Sequence, residues 1–493
     1  MAGLCKKGTF GDKDLPQGRK AIKTRSFLKI KRSVDGTMEC YKAQLMARNF
    51  TQNASVNFFE TFSPVVGYNT LRGVMSVAAY RGWGINALDF TQAYLNADLQ
   101  EDIWLKLPDG CTAKAEKAIY GLKQSAMGWY HELRSTILAE GWTSSQYDKC
   151  LYFRKSEDRC IAILTTYMDD TATTGDFMEE IQRMRALLRE KYEWRNLGTP
   201  DKLIGVGITV GADSITLDQQ LYAESIVMAG MGSTEVWDTS TPFNSGMDLS
   251  ARHDNEEELN STIFPYASIL GQLMFLVDMT RPDLANSIHE LGCRAASPCM
   301  RHWRGLQHVL CYVAETLDAC IHYGWGSKDM NGGDRKLLVG YGDSDWGTDS
   351  QTCRSVTGYP YYLLINGSPI AWCSKLQGAV TLSSLEAEWM TTAYGMRHYI
   401  FVRGILGEIG VLQDQTPWFC DNRGAIQAGS ITGFNGRTKH VDMKLKSIRE
   451  NMDQGLFHVE YIPASKQLGD ILTKSLCKSL TSDFVHSVLS RRG

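Results

Sequence analysis

Hydrophobic and polar positions follow two periods along this chain, one near two residues and one near 3.6, and the changes between them mark the elements. Phe27 to Arg32 alternates, with Leu28 and Ile30 on one side of a strand and Lys29 and Lys31 on the other. Asp35-Gly36 is a two-residue hairpin signal, and Glu39 to Arg48 returns as the second strand. Leu71, Met75 and Ala78 sit at helical spacing and predict a helix over Thr70 to Arg81, stopped by Gly82-Trp83-Gly84. Ile85 to Asp89 reads as a short strand ending in an acid, followed by a polar segment that ends at Pro108. Ala126, Tyr130, Leu133 and Ile137 predict an amphipathic helix opening at Gln124 and closing at Gly141. An aliphatic run, Ile161 to Leu164, leads to Tyr167-Met168-Asp169-Asp170, and Thr171 to Gly175 forms a small, polar exit. A helix over Met178 to Tyr192 follows, with Ile181, Met184, Leu187 and Leu188 inward.

Beyond this point Leu203 to Val210 and Ser214 to Leu217 predict another hairpin, and the acidic stretch 232–262 an exposed connection. Tyr266 to Asp278, Asp283 to Ala296 and His302 to Glu315 read as helices, with His302 and His308 as surface or capping residues. A second run of strands starts near Lys336. It comprises Leu337 to Asp343, Ser355 to Ile365, Pro369 to Ser374 after Asn366-Gly367, Pro417 to Asp421, and Phe457 to Ile462. Ser384 opens a long helix in which Trp389, Ala393, Met396 and Ile400 share a face, and Gln467 to Leu476 predicts a last helix carrying Asp470. Strands flanked by helices, with carboxylates at strand ends, predict an α+β fold.

The 493 residues are enough for more than one domain, and 22% charged with 43% hydrophobic residues is ordinary for a globular protein. No apolar run reaches membrane-spanning length and no secretory leader is evident, so no membrane partner is expected. The 13 cysteines are scattered without zinc-like spacing, which fits a reduced intracellular compartment. The net charge of −3 hides an asymmetry: residues 1–48 hold 12 Lys or Arg against 4 Asp or Glu. Such a stretch suits a phosphate backbone, or else a solvated strand edge defended by lysine.

Two sets of carboxylates stand out. Asp89, Asp169 and Asp170 fall at neighbouring strand ends, where hard divalent ions find oxygen ligands. A solvated turn for the aspartate pair, and a helix cap for Asp89, are the plain alternatives. The second set is Asp343, Glu386, Asp421 and Asp470, with Asp345 competing for the place of Asp343. Glu386 lies three residues after Ser383, the spacing of a capping box. Asp421 also suits a turn, and Asp470 the first turn of a helix.

Several short motifs occur in one order. They are Lys42-Ala43-Gln44-Leu45-Met46-Ala47-Arg48, Glu60-Thr61-Phe62-Ser63-Pro64-Val65-Val66, Tyr120-Gly121-Leu122-Lys123-Gln124, Tyr167-Met168-Asp169-Asp170, Thr280-Arg281-Pro282-Asp283-Leu284, Leu382-Ser383-Ser384-Leu385-Glu386-Ala387-Glu388, Cys420-Asp421-Asn422, Arg437-Thr438-Lys439-His440 and Asp470-Ile471-Leu472-Thr473-Lys474. Together, from about Arg19 to Leu476, they resemble the reverse transcriptase and ribonuclease H region of a copia-type retrotransposon polyprotein. The resemblance implies a right-hand polymerase of fingers, palm and thumb, followed by an α/β ribonuclease H-like domain. The matching divisions are a lead-in over 1–18, fingers and palm over 19–217, thumb or connection over 218–335, the nuclease over 336–478 and a tail over 479–493.

It further implies that Asp89, Asp169 and Asp170 bind Mg²⁺, with Mn²⁺ as the alternative ion, for attack of a primer 3′-hydroxyl on a dNTP. Lys42, Arg48, Tyr94 and Gln124 would contact the nucleotide, Tyr94 by blocking a 2′-hydroxyl, although ordinary core packing also accounts for a tyrosine there. Asp343, Glu386, Asp421 and Asp470 would hold the metal that cuts RNA in a hybrid. The implied partners are an RNA template, a DNA primer, an RNA–DNA hybrid and the integrase of the same element. The implied location is the cytoplasm, in a virus-like particle, with the nucleus as a second compartment. Departures from the family pattern are Gln44 and Met127 in place of arginines, Thr171 to Thr174 in place of aliphatics, and Leu445-Lys446-Ser447 in place of a Tyr-His-Phe-like run. They keep open a second reading, a catalytically degenerate relic that at most binds nucleic acid.

Overall fold

A computed structural model describes residues 4, 7–11, 13–32, 38–53, 57–234, 237, 239–243, 246–324, 338–344, 361–365, 367–375, 384–430 and 439–492. The Asp35-Gly36 turn, Asp345, residues 355–360, Asn366, Ser383 and Arg437-Thr438 lie outside them. The chain forms two compact units, each built from two pieces of chain. Residues 1–67 and 85–199 make the first, and residues 68–84 and 200–493 the second.

In the first unit, β1 (Ile22–Arg32) and β2 (Met38–Ala47) form the long hairpin, with Lys29 opposite Lys42 in the ladder. Ile22 and Ala47 at its base are buried, whereas Leu28 and Tyr41 further out are three-quarters exposed. The helix α1 (Tyr68–Arg81) belongs to the second unit. After β3 (Ile85–Phe90), the polar segment expected to run irregularly to Pro108 contains instead the strand β4 (Asp98–Lys106). This strand pairs with β5 (Thr112–Lys117) and, in parallel, with the start of β1. The reason is electrostatic as well as apolar. Asp98 and Asp102 meet Lys117 and Lys114 at 2.6 and 2.7 Å, while Ile103, Trp104 and Leu105 are buried. Cross-strand pairs of opposite charge let acidic residues sit in a ladder.

The main sheet of this unit runs β9-β3-β8-β7-β6. Its further strands are β6 (Leu151–Lys155), β7 (Ile161–Tyr167), β8 (Asp170–Gly175) and β9 (Trp194–Gly198), and all neighbours are antiparallel. The stretch from Thr171 to Gly175, expected as a polar exit, is thus a central strand, and Thr171 and Thr173 are almost fully buried. β-Branched threonine fits a pleated strand even where its hydroxyl finds little company. Helices α2 (Ser125–Ala139) and α3 (Met178–Lys191) bury Trp129, Leu133, Ile137, Ile181, Met184 and Leu188 in one core with Leu88, Phe90 and Leu164.

In the second unit, β10 (Val206–Val210) and β11 (Ser214–Asp218) form the expected hairpin, to which β12 (Ala319–Gly324) adds. The helix α4 (Gln220–Met231), absent from the sequence reading, buries Ala223, Ile226 and Val227 at helical spacing. It joins α5 (Tyr266–Met279), α6 (Ala285–Gly292) and α7 (Met300–Glu315) around one core. His302 is buried at the start of α7, where its Nδ1 accepts the Cys299 N–H at 3.1 Å, so it is a capping residue.

The second sheet of this unit runs β15-β14-β13-β16-β17. Its strands are β13 (Leu338–Gly342), β14 (Tyr361–Ile365), β15 (Ser368–Cys373), β16 (Thr416–Cys420) and β17 (Phe457–Tyr461). The first three pair antiparallel and β13, β16 and β17 run parallel. Parallel neighbours need crossovers, supplied by α8 (Ser384–Glu408), α9 (Arg423–Ser430) and α10 (Lys439–Asp453). Helix α1 is fastened here by Arg72, whose buried guanidinium donates to the carbonyls of Ile370, Asp278 and Met279 and lies 4.0 Å from the Trp372 ring centre. The terminal helix expected over Gln467 to Leu476 is only a 3₁₀ turn, Leu468–Leu472. Among the described residues no helix is long and apolar enough to cross a membrane.

Two candidate carboxylate sites

The first site is in the first unit, on the central strands of its main sheet. Asp89 near the end of β3 stands directly opposite Asp170, the first residue of β8, and Asp170 in turn opposite Tyr167. Met168 and Asp169 make the turn between β7 and β8, Met168 with φ +56°. Two hydrogen bonds to its carbonyls hold this turn: the Phe90 backbone N–H donates to Asp169 O at 3.2 Å, and the Trp129 side-chain Nε1–H to Met168 O at 2.8 Å. Tyr94 and Tyr120 pack ring to ring at 4.6 Å beside it. Burial raises the pKa of both phenols, and the charge of Asp169 raises them further. Tyr120 is set by a close approach of loop to hairpin. Ala47 N–H donates to Tyr120 O at 2.8 Å, and a side chain at Gly121 (φ +89°) would strike the Ala47 carbonyl.

An open cleft of about 510 Å³ lies over these carboxylates, lined by Asp89, Asp169, Gln44, Tyr41, Tyr120 and Arg195 among others. The remaining predicted residues divide. Tyr94 is half-buried, its hydroxyl 3.7 Å from the Met168 sulfur. Arg48 is exposed just past β2, and of Lys42 only the backbone pairing is described. Gln124 does not line the cleft. It is buried, its Oε1 accepting from Gln52 Nε2 at 3.0 Å and its Nε2 donating to Asn57 O at 2.8 Å. A primary amide so engaged braces the loop.

The second site lies at the carboxyl ends of β13 and β16 in the second unit. Asp343 follows β13, Asp421 follows β16, and Asp470 comes in on the 3₁₀ turn; their oxygens lie within 4.8 Å of one another. Gln467 Nε2 donates to Gly342 O at 2.9 Å and so docks this turn on β13. Thr473 Oγ1 donates to Asp343 Oδ2 at 2.6 Å, and Lys474 Nζ meets Asp470 Oδ2 at 2.9 Å. Burial, then the Asp343 charge, push the Asp470 carboxyl up to about 7 against the pull of Lys474. The same two causes raise Asp421. Burial works to lower the Lys474 pKa, but Asp343, Asp470 and Asp421 outweigh it.

Glu386, the expected fourth carboxylate, is half-buried and outside this group. Glu388, also outside the group of three, is the glutamate of helix α8 on which Asp343 and Asp421 act. It is buried, and its pKa is raised well above the usual range by burial and then by Asp343 and Asp421. Residues two apart on a helix point to opposite sides, so α8 can turn only one of them inward. The sequence signal for Glu388 was present in the same motif, since both glutamates belong to it. Thr473 and Lys474 were likewise inside a quoted motif without an assigned part.

Residues 8–245 match the family described as reverse transcriptase (RNA-dependent DNA polymerase). The chain is 30% identical over 500 residues to the retrovirus-related Pol polyprotein from transposon TNT 1-94 of Nicotiana tabacum, covering 97% of this chain and 37% of that one. It is 30% identical over 463 residues to the corresponding polyprotein from transposon RE2 of Arabidopsis thaliana, covering 92% and 31%. The chain thus spans about a third of the length of these relatives. A foamy viral protease–reverse transcriptase solved in complex with double-stranded DNA aligns with TM-score 0.48 and 12% identity, over 93% of this chain and 68% of that chain. Through residues 8–245 the chain belongs to the reverse transcriptase family, in its copia-type retrotransposon branch.

Proposed function

We propose that the chain is an RNA-directed DNA polymerase whose second unit carries a ribonuclease H. The observation that carries the polymerase reading is the direct pairing of Asp89 with Asp170, with Asp169 in the adjoining turn, Asp89 and Asp169 lining an open cleft. For the nuclease, support comes from three convergent aspartates, Asp343 and Asp421 at the ends of neighbouring parallel strands and Asp470 on the 3₁₀ turn. Within that group Asp470 Oδ1 is buried without a hydrogen-bond partner among the described residues, as an oxygen meant for a cation would be.

Oxygen-only donor sets of this kind fit a hard divalent ion, Mg²⁺ or Mn²⁺. Asp343, Asp421 and Asp470, whose oxygens already converge, would hold it in the second unit, with Glu388 beside them; in the first unit Asp89, Asp169 and Asp170, which do not converge so closely, would hold it. Such an ion supplies Lewis-acid activation of the attacking oxygen and stabilises the leaving one. The chain's own side chains bind and orient. Tyr94, braced on Tyr120, offers the bulk that excludes a ribose 2′-hydroxyl near Asp169. The exposed Lys23, Arg25 and Lys29 of β1 track template and primer phosphates, so hybrid binding weakens steeply with salt. The proposed substrates are dNTPs, an RNA template and its DNA primer, and the RNA–DNA hybrid.

The test is primer extension on an RNA template in Mg²⁺ by the full chain, against the Asp169→Ala/Asp170→Ala variant. Extension above that control supports the polymerase, and equal rates sink it. One observation favours the second reading, a degenerate relic. The Thr171 hydroxyl is buried under the site with no hydrogen-bond partner among the described residues, where the family pattern has an aliphatic.

A further inference from the structure

One residue of the first site was given no part above. Arg195 lies on β9, opposite Asp89 in the antiparallel ladder, so the two side chains share one face of the sheet. It is exposed and lines the cleft together with Asp89, Asp169 and Gln44. It is the one cationic side chain among the described residues lining that cleft. No hydrogen bond or ion pair ties it to the described residues. Its neighbour Arg185 differs, since that guanidinium donates to Asn196 Oδ1 at 2.6 Å and lies 5.7 Å from the Trp194 ring centre.

A cleft floored by carboxylates repels an anionic substrate unless a cation meets it. Gln44, in the same cleft, is neutral and brings no charge to meet a phosphate. A guanidinium carries a fixed fork of donors matched to phosphate oxygens and keeps its charge at any working pH. A nucleoside triphosphate, with several negative charges in a short span, gains most from such a group; a single phosphodiester of the primer gains less. We propose that Arg195 is the residue that binds the phosphates of the incoming deoxynucleoside triphosphate, taking over the charge that Gln44 lacks. This rests on the polymerase reading and adds to it a named binding residue on a strand outside the sequence motifs.

The test uses the full chain and three variants, Arg195→Gln, Arg195→Lys and, as a matched control outside the cleft, Arg185→Gln. The KM for dNTP in primer extension is expected to rise roughly ten- to a hundredfold in Arg195→Gln, the loss of one charged hydrogen-bonding group. The smaller effect is expected on kcat, with unchanged affinity for primer–template. Arg195→Lys recovers part of the KM, and Arg185→Gln leaves it unchanged. An unchanged KM in Arg195→Gln, while the wild type extends primer, overturns the inference and leaves the polymerase reading standing. Weakened primer–template binding with unchanged KM also overturns it, since the phosphate is then the primer's. Should the wild type extend no primer, equilibrium binding of dATP decides: binding lost in Arg195→Gln supports the inference, and binding unaffected or absent overturns it.

Discussion

Asp89 and Asp170 are direct partners across an antiparallel pair, two acids on one face of a sheet at the closest cross-strand separation. Like charges so placed oppose folding, by about 0.2–1 kcal/mol per pair on an exposed ladder. Asp89→Asn should therefore stabilise the first unit in chelator by about that amount while ending primer extension. Thermal melting in EDTA reads the first effect. A lower melting point for Asp89→Asn would contradict the account of the pair.

At the second site, Glu388 rather than Glu386 faces Asp343 and Asp421. Glu388→Gln is expected to slow cleavage of RNA in a hybrid at least tenfold, roughly the least that loss of a metal-site group costs. Glu386→Gln should cut at close to the wild-type rate. Comparable losses in both variants would show that helix α8 does not discriminate between them.

The pH behaviour of the second site follows from its raised carboxyls. Asp470 titrates near 7 in the folded chain and near 4 when unfolded, so between these values the native state holds the extra proton. Stability then falls as pH rises through that window, and Asp421 and Glu388 act in the same direction. The metal-free protein should melt lower at pH 8 than at pH 5.5, with the loss concentrated in the second unit. Divalent ion should tighten its binding over the same window, because it takes the deprotonated carboxylates. A rise in chelator melting temperature from pH 5.5 to 8 would refute this.

Thr171 is 1% exposed and its hydroxyl has no partner, whereas the Thr173 hydroxyl donates to Asn86 O at 3.3 Å. Thr171→Val removes an unsatisfied polar group at nearly constant shape and should stabilise by about 1 kcal/mol. Thr173→Val gives up a hydrogen bond and should stabilise less. Chemical denaturation of the two variants checks the order.

Much of this architecture was legible because period reports packing directly. The helices around Met75, Leu133 and Met184, and the strands ending at Asp89, Asp343 and Asp421, follow from spacing alone. What stayed hidden depends on partners distant in sequence. Asp98 and Asp102 look like loop residues until Lys117 and Lys114 arrive across the ladder. Gln124 sits in a recognisable motif, but only the positions of Gln52 and Asn57 show that its amide is engaged. The choice between Glu386 and Glu388 is a matter of helix phase, which a motif holding both glutamates does not reveal. Arg195 carried no signal, since its place beside Asp89 comes from strand pairing.

Helix α1 precedes most of the first unit in the chain yet belongs to the second. Its buried face, Leu71, Val74, Met75 and Ala78, packs with β11, β12, β15 and α8. During synthesis this helix leaves the ribosome well over a hundred residues before its first partner strand, and some three hundred before α8. For that interval its apolar stripe and Arg72 have no cover. Nor can either unit be cut out as one continuous piece: a fragment stopping at Thr199 keeps the helix and loses everything that buries it. Truncations meant to isolate the first unit should delete residues 68–84 and bridge Gly67 to Ile85, or else retain the whole chain.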